Sequence, residues 1–219
     1  IGLVLETRPD CFVYVRGTST EKEATKKAVK EEIENWELGV PLVVIPAAMK
    51  KLKLLKHELF RWRRYGCTRG QIGIQQIYTD ILDLNNRDHD VLASMGACKM
   101  LQDNCFKVDC HLMPDLYGTT VEKDRKMMDF VFRASHIPAD YFKIYPCLDV
   151  PFTKLRKLKE QGIWKPYAEK NNAEDLIQLL MYMTKYIPRS TRINRIQRDF
   201  CHESDKCDLG FKSDHIKSN

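Results

Sequence analysis

The chain has 219 residues, of which 43% are hydrophobic and 30% charged, so it is long enough to bury a core as one globular domain. Its longest uncharged apolar run, Val40 to Met49, is too short to cross a bilayer, and we expect no membrane-spanning segment. The net charge of +6 favours polyanionic partners modestly and does not demonstrate one.

The first predicted element is a short apolar strand, Gly2 to Leu5, followed by the charged sequence Glu6-Thr7-Arg8-Pro9-Asp10. Pro9 cannot donate a backbone hydrogen bond, so the strand is expected to end there. The charged sequence is either a solvated turn with a local ion pair or a loop that faces a substrate. Because the chain starts inside this apolar segment and without an initiator Met, we expect a fragment of a longer protein.

Residues 12–60 are predicted to be mainly helical. Thr20 and Glu23 have the spacing of a capping box, which predicts a helix that continues to Trp36. From Ala47 to Arg64, apolar residues share one stripe and Lys or Arg residues occupy the others, which predicts a basic amphipathic helix. A charged face of this kind usually contacts solvent, and an RNA or membrane surface is the less frequent alternative.

The remainder alternates predicted strands with predicted helices. Gln71 to Gln75 alternates β-branched residues with small or polar ones, as a buried strand does, and three further strands follow at 106–113, 141–147 and 192–197. The later strands recur at intervals of about 35 residues, which indicates parallel βα units in a barrel or an open sheet. The predicted helices between them cover 78–84, 89–102, 119–134, 152–161 and 176–186.

Polar residues follow the strand at 71–75, in the sequence Asn85-Asn86-Arg87-Asp88-His89. In α/β proteins, ligands bind at the carboxyl ends of parallel strands. Spacing alone therefore predicts a ligand site at this edge of the sheet and does not identify the ligand.

Eight cysteines are distributed along the chain without a secretory leader, so a reducing compartment explains them better than four disulfides. The C-terminal residues Cys201, His202, Cys207 and His215 superficially resemble zinc ligands. Their spacing fits no compact zinc site, and we predict no metal ligands in this chain.

Five sequence motifs, in order, resemble a known family: ETRPDC at 6–11, YGCTRGQIGIQ at 65–75, FKVDCHLMPDLYGTT at 106–120, FKIYPCLDV at 142–150 and RINRIQRDF at 192–200. They resemble the radical S-adenosylmethionine (SAM) domain of the catalytic subunit of the Elongator complex. The resemblance implies an α/β fold, a partial (β/α) barrel of the radical SAM type that is incomplete at its N-terminus. This barrel would cover residues 1–200, with 12–60 as a helical insertion and 201–219 as a polar C-terminal tail.

Complete enzymes of this family carboxymethylate the wobble uridine of tRNA in an acetyl-CoA-dependent, acyltransferase-type reaction. The resemblance thus implies SAM and a [4Fe–4S] cluster as cofactors, acetyl-CoA as co-substrate, and tRNA and other Elongator subunits as partners. It also implies a location in the cytoplasm, with the nucleus as an additional one. The closely spaced cysteine trio that holds the cluster is absent from this chain, so we expect the chain alone to be inactive. The alternative is a non-catalytic RNA-binding or complex-assembly fragment of the same domain.

The resemblance also implies roles for individual residues, although each is more often a structural polar group when taken alone. Catalytic roles fall to His111, Lys143 and Tyr145, and cofactor-binding roles to Glu6, Arg8, Gln75, Met113 and Asp115. The expected nucleic-acid contacts are Asn86, Arg87, Arg192, Arg195 and Arg198.

Overall fold

The computed structural model of the protein describes residues 3–148 and 152–196. Arg198 and the tail at 201–219 therefore lie outside the described residues, as do the four candidate zinc ligands. Short 3-10 turns occur at Pro9–Cys11, Tyr167–Glu169 and Asn171–Ala173, and a π-helical turn at Asp129–Arg133 directly follows the helix that ends at Met128. In chain order the elements are β1 (Leu3–Thr7), β2 (Val13–Val15), α1 (Ser19–Asn35), α2 (Val44–Met49), β3 (Leu52–Leu54), α3 (Lys56–Arg64), β4 (Cys67–Gln75), α4 (Thr79–Leu84), α5 (Val91–Asp103), β5 (Lys107–Leu112), α6 (Val121–Met128), β6 (Tyr141–Ile144), α7 (Lys154–Glu160), α8 (Glu174–Thr184) and β7 (Arg192–Arg195).

The main sheet has five strands in the order β1-β4-β5-β6-β7, and every neighbouring pair is parallel. The spatial order follows the chain order without reversal, and helices connect successive strands. A doubly wound sheet would reverse its strand order at a switch point, whereas a βα barrel wall advances in one direction. The α/β class and the barrel-type arrangement predicted from the sequence are therefore confirmed.

The two faces of this sheet differ in chemistry. Side chains such as Ile72, Ile74 and Val108 are fully buried on the face that the helices cover. Residues one position further along the strands point to the opposite face, and there the buried side chains are polar, among them Gln71 and Asp109. Buried polar groups require hydrogen-bond partners, so this inner face is expected to be an ordered polar network rather than an apolar core.

Helix α1 forms where the sequence predicts a helix, but its cap lies two residues earlier. Thr18, not Thr20, is the N-cap: its hydroxyl accepts the Glu21 N–H at 3.3 Å, and its own N–H donates to the Glu21 carboxylate at 2.7 Å. Thr18 and Glu21 have the same spacing as Thr20 and Glu23, so the pattern alone could not choose between the two pairs.

The single amphipathic helix predicted from Ala47 to Arg64 is wrong. The structure has α2, then the short strand β3, then α3 across this range, and β3 pairs antiparallel with β2. Leu52 pairs with Val15 and Leu54 with Val13, so a partner nearly forty positions away in the chain selects the extended conformation. The segment 12–60 is consequently a mixed helix and strand unit rather than a helical one.

This segment packs closely on the barrel helices. A Cβ at Gly96 of α5 would lie 2.5 Å from Leu52 Cδ1, so the glycine leaves the space that the Leu52 side chain of β3 occupies against α5. Trp36, which follows α1, is 3% exposed and makes an edge contact with Phe130 at 5.1 Å between ring centroids. Glu32 of α1 accepts the N–H groups of Val44 and Ile45 at 2.7 Å each, which caps α2. Within the described part of the chain, no helix is long and apolar enough to cross a bilayer.

Candidate functional site

A cavity of about 440 Å³ opens at the carboxyl ends of the central strands, and we call it the rim cavity. Barrel folds place ligand sites at this end, because the strand ends and the following loops converge there. Six of the residues implied by the resemblance to be catalytic or cofactor-binding line the cavity together with Arg195: Glu6, Gln75, His111, Met113, Lys143 and Tyr145. The remaining lining residues are Pro146, Cys147, Leu148 and Leu155.

His111 occupies the centre of the wall that β5 contributes. It is 4% exposed, its Nδ1 lies 3.3 Å from Glu6 Oε1, and its ring makes an edge contact with Tyr145 at 6.0 Å. A carboxylate can only accept, so Nδ1 carries the proton in the neutral ring and Nε2 is left as an acceptor. Nε2 is buried and has no hydrogen-bond partner among the described residues, which leaves it available to a donor on a ligand.

We predict that His111 is neutral at pH 7. Burial lowers the pKa of its imidazole, and the nearby Lys143 charge lowers it further, against the opposing effect of the Glu6 carboxylate. An NMR titration of the imidazole Cε1 proton should give a pKa below the ordinary value of about 6.5. Glu6→Gln removes the opposing charge, so it should lower the pKa of His111 again; an increase would contradict this account of the Glu6–His111 pair.

Gln75 ends β4 in a left-handed conformation, with φ of 66°. Its carbonyl accepts the Met113 N–H at 2.9 Å, which joins the ends of β4 and β5 at the cavity. A Cβ on Gly73 would lie 3.0 Å from the Gln75 amide nitrogen, so the glycine leaves room for this side chain. The Gln75 Oε1 atom is buried without a partner among the described residues and forms a second unused acceptor beside the cavity.

Lys143 is held from below by a layer of polar side chains. Its ammonium donates to Gln71 Oε1 at 2.9 Å, and the Gln71 amide faces Asp109 Oδ2 at 3.4 Å. Asn194 of β7 also donates to Asp109 Oδ2, at 2.9 Å. Gln71, Asp109 and Asn194 were not predicted from the sequence, although a signal is present. Polar residues alternate along the two strands, at Arg69, Gln71 and Gln75 in β4 and at Lys107, Asp109 and His111 in β5, and the two sets lie side by side.

Two of the expected cofactor-binding residues do not reach the cavity. Arg8 pairs with Asp10 at 2.7 Å and with Asp88 at 2.9 Å on the neighbouring surface. Asp115 is 2% exposed, and its oxygens accept the backbone N–H groups of Tyr167 and Ala168 at 2.8 and 3.0 Å. Both oxygens of Asp115 are used to fix a loop outside the rim cavity, and burial raises its pKa to about 7.

The expected nucleic-acid contacts divide into two places. Asn86, with φ of 53°, and the half-buried Arg87 lie in the loop after α4, close enough to Glu6 and Arg8 that their charges influence Arg87. Arg195 pairs with Lys143 in the sheet and lines the rim cavity. Arg192 pairs with Tyr141, the first residue of β6, and so lies at the other end of β7. Arg198 falls outside the described residues.

The described residues do not fit an iron–sulfur cluster. Among residues 3–148 and 152–196, no three His, Cys, Asp or Glu side chains are close enough to hold a metal ion. The closest thiols in that part of the chain, Cys98 and Cys110, lie 3.5 Å apart between α5 and β5, on the apolar face of the sheet. The cavity itself offers the acceptors Gln75 Oε1 and His111 Nε2 together with the cations Lys143 and Arg195, which suits a ligand that carries both hydrogen-bond donors and an anionic group.

Comparisons with known proteins point to one family. The Radical SAM C-terminal domain family matches residues 139–205. A tRNA uridine(34) acetyltransferase of Methanocaldococcus infernus is 37% identical over 142 residues, which are 65% of this chain and 26% of that protein. Elongator complex protein 3 of Schizosaccharomyces pombe is 37% identical over 183 residues, 84% of this chain and 32% of that protein. The chain is similar to part of the radical SAM domain of the Elongator complex protein 3 family.

A solved structure of this family supports the same conclusion. Methanocaldococcus infernus Elp3 with an N-terminal deletion superposes with a TM-score of 0.62 at 30% identity, over 91% of this chain and 36% of that chain. The radical SAM type of fold expected from the sequence is thus confirmed. The chain spans about a quarter to a third of the length of these Elongator complex protein 3 relatives.

Proposed function

We propose that this chain provides the rim-cavity part of a radical SAM domain in an acetyl-CoA-dependent enzyme that carboxymethylates the wobble uridine of tRNA. The observation that carries the proposal is the rim cavity, where Glu6, Gln75, His111 and Lys143 meet at the carboxyl ends of parallel strands. The named activity of the archaeal relative, a tRNA uridine(34) acetyltransferase, agrees with it. In this proposal residues 1–200 form one barrel unit, and the segment 12–60 is an insertion within it.

SAM, held with its cluster in the complete enzyme, would supply radical chemistry for the modification of the acetyl group. The described residues contribute binding and orientation rather than cluster ligands. Lys143 and Arg195 attract a carboxylate, while His111 Nε2 and Gln75 Oε1 accept hydrogen bonds from amino groups. The apolar side chains of Pro146, Leu148 and Leu155 line the same space, and their contact with a bound ligand would lower the local polarity and strengthen these interactions.

In this proposal the partners are tRNA and the other Elongator subunits, and the location is the cytoplasm, with the nucleus as an additional one. The net charge of +6 supports a polyanionic partner. Arg87 and Arg195 supply positive charge on the side of the barrel where the rim cavity opens, and there they can contact tRNA phosphates while a base approaches the cavity.

The test compares two arginines of one strand. Arg195→Ala, alone and with Arg87→Ala, should weaken tRNA binding and reduce the slope of log affinity against log salt by about 1 for each lost phosphate contact. Arg192→Ala is the matched control, because it removes the same charge from the far end of β7. Fluorescence anisotropy with labelled tRNA at several salt concentrations measures both quantities.

If Arg192→Ala and Arg195→Ala lower the tRNA affinity equally, tRNA binding depends on the net charge of the chain and not on contacts at the rim cavity, which would contradict the proposal. The alternative function, a non-catalytic RNA-binding or complex-assembly fragment, is favoured by the missing cluster ligands in the described residues. It predicts the same tRNA result but no retention of SAM by the cavity in the complete protein.

A further inference from the structure

The polar layer beneath the rim cavity contains a fully buried acid that no step of the proposed function uses. Asp109 of β5 is 0% exposed. Gln71 is its register partner on β4, and Asn194 reaches it from β7. Burying a carboxyl group is costly unless it is hydrogen-bonded, so its retention in this layer calls for a physical reason.

The orientation of the Gln71 amide supplies that reason. The Lys143 ammonium has only donors, so the Gln71 atom that lies 2.9 Å from it must be the carbonyl oxygen Oε1. The amide NH₂ then faces Asp109, whose Oδ2 accepts from it at 3.4 Å. If the amide rotated by half a turn, its NH₂ would face the ammonium and its oxygen would face the acid. Both contacts would then be lost.

Asp109 is itself fixed from the other side. Its Oδ2 atom also accepts from Asn194 Nδ2 at 2.9 Å, so an amide on the last strand holds the acid in place. The chain of contacts therefore runs Asn194 to Asp109 to Gln71 to Lys143, across four neighbouring strands. Lys143 is the only member of this chain of contacts that lines the rim cavity.

We propose that Asp109 and Gln71 are positioning residues that hold the Lys143 ammonium at the base of the rim cavity. Asp109 acts through Gln71, by permitting one orientation of its amide and excluding the other. The functional importance of the Asp109–Gln71 contact rests on the proposed function of the cavity. The experiment that tests the contact does not rest on it, because that experiment measures the exposure of Lys143 and measures neither activity nor ligand binding.

The structure predicts a specific dependence between the two positions. With Gln at 71, only one amide orientation offers Lys143 an oxygen, and the bond from the amide NH₂ to Asp109 strengthens the preference for that orientation. With Glu at 71, either carboxylate oxygen accepts from Lys143, so Asp109 is no longer needed. A residue needed only for folding would matter equally in both backgrounds, whereas an orienting residue matters only beside glutamine.

The experiment measures how fast an acylating reagent, N-hydroxysuccinimidyl acetate, labels Lys143 in the 219-residue chain, by peptide mass spectrometry. The exposed Lys185 serves as an internal reference. Asp109→Leu should raise the relative labelling of Lys143 by about fivefold, the factor expected for one lost hydrogen bond. Asp109→Asn keeps an oxygen for both donors and should stay within about twofold of the original chain. The double variant Gln71→Glu with Asp109→Leu should also stay within that range.

If Asp109→Leu leaves Lys143 labelling unchanged, or if the double variant is labelled as fast as Asp109→Leu alone, the proposal is overturned. Should Asp109→Leu fail to fold, Gln71→Met keeps the Asp109–Asn194 contact and removes the oxygen that Lys143 uses. It should raise labelling to the same extent, and unchanged labelling in this variant would equally overturn the proposal. Weak tRNA binding with the expected labelling pattern would instead count against the proposed function alone.

Discussion

Asp124→Asn is expected to lower the free energy of unfolding by about 3 kcal/mol, because a fully buried carboxylate that accepts four hydrogen bonds would become an amide with one acceptor. Asp124 is 0% exposed. It accepts from the Gln76 amide at 2.7 Å, the Thr119 hydroxyl at 2.9 Å, the Asp115 N–H at 2.7 Å and the Tyr167 hydroxyl at 2.8 Å. These donors come from the segments after β4, β5 and α7, so one side chain joins three loops beneath the rim.

Urea unfolding at pH 7.5, followed by tryptophan fluorescence, measures this loss. Asp103→Asn makes the same chemical change at an exposed residue of α5 that pairs with Lys99, and it should alter the free energy of unfolding by less than about 0.5 kcal/mol. A loss below about 1 kcal/mol for Asp124→Asn would mean that the four donors find other acceptors, contrary to the structure.

The same acid gives the stability a defined pH dependence. Burial raises the pKa of Asp124 to about 6 and that of Asp115 to about 7, above their values in an unfolded chain. Between about pH 4 and pH 7 the folded state therefore binds more protons than the unfolded state, and these two groups make stability fall as the pH rises. In Asp124→Asn one of the two contributions is absent, so the decrease across this range should be smaller.

The rim cavity could be predicted because its residues follow a simple rule. Polar residues at the carboxyl ends of consecutive parallel strands meet at one edge of the sheet. The resemblance to the family's motifs then identified which of these polar residues are candidates for the site. Glu6, Gln75, His111 and Lys143 come from four different strands, and the structure brings all four to one cavity. The alternation of strands and helices along the sequence predicted the order of the strands correctly, and that order was sufficient to predict the rim cavity.

The errors arise where a contact between distant parts of the chain decides the outcome. The residues 52–54 continue a helical apolar stripe, and only their pairing with β2 makes them extended. Asp115 lies in the loop that follows β5, and two backbone N–H groups from the 167–168 turn use its oxygens. Neither partner can be read from the local sequence, because both are distant in the chain: β2 lies about forty positions from β3, and the 167–168 turn lies more than fifty positions from Asp115.

The role of Asp109 was not predicted from the sequence for a different reason. It lies in a strand between apolar residues, where its charge looks like an exception to the pattern of a buried strand. The exception has an explanation once the inner face is known to be polar, since Gln71, Asn194 and Lys143 all belong to the same face. Violations of a local pattern are expected at functional sites, and here the violation lies directly beneath the cavity.

The largest loss of stability outside the polar network is expected for Trp36→Ala, which should lower the free energy of unfolding by about 3–5 kcal/mol. Trp36 is 3% exposed, contacts the rings of Phe130 and His136, and donates from Nε1 to the Val40 carbonyl at 3.0 Å. Phe130 belongs to the π-helical turn that extends α6, so this contact joins the segment 12–60 to the helical layer of the barrel. If the segment is an integral part of the barrel, the loss appears in one cooperative urea transition of the whole chain.

Phe60→Ala is the matched control, because it removes an aromatic ring from the same segment that is 68% exposed, and it should change the free energy of unfolding by less than about 0.5 kcal/mol. Two separate transitions in Trp36→Ala, with the second at the urea concentration where the original chain unfolds, would show that the segment folds apart from the barrel.

The single transition is expected because the segment's contacts are spread over the barrel's helical layer. Trp36 contacts the extension of α6, β3 packs on Gly96 of α5, and Trp62 of α3 lies against Phe12 at 4.8 Å and Phe106 at 6.3 Å. No boundary between two cores is present among the described residues, because their buried apolar side chains form one continuous cluster.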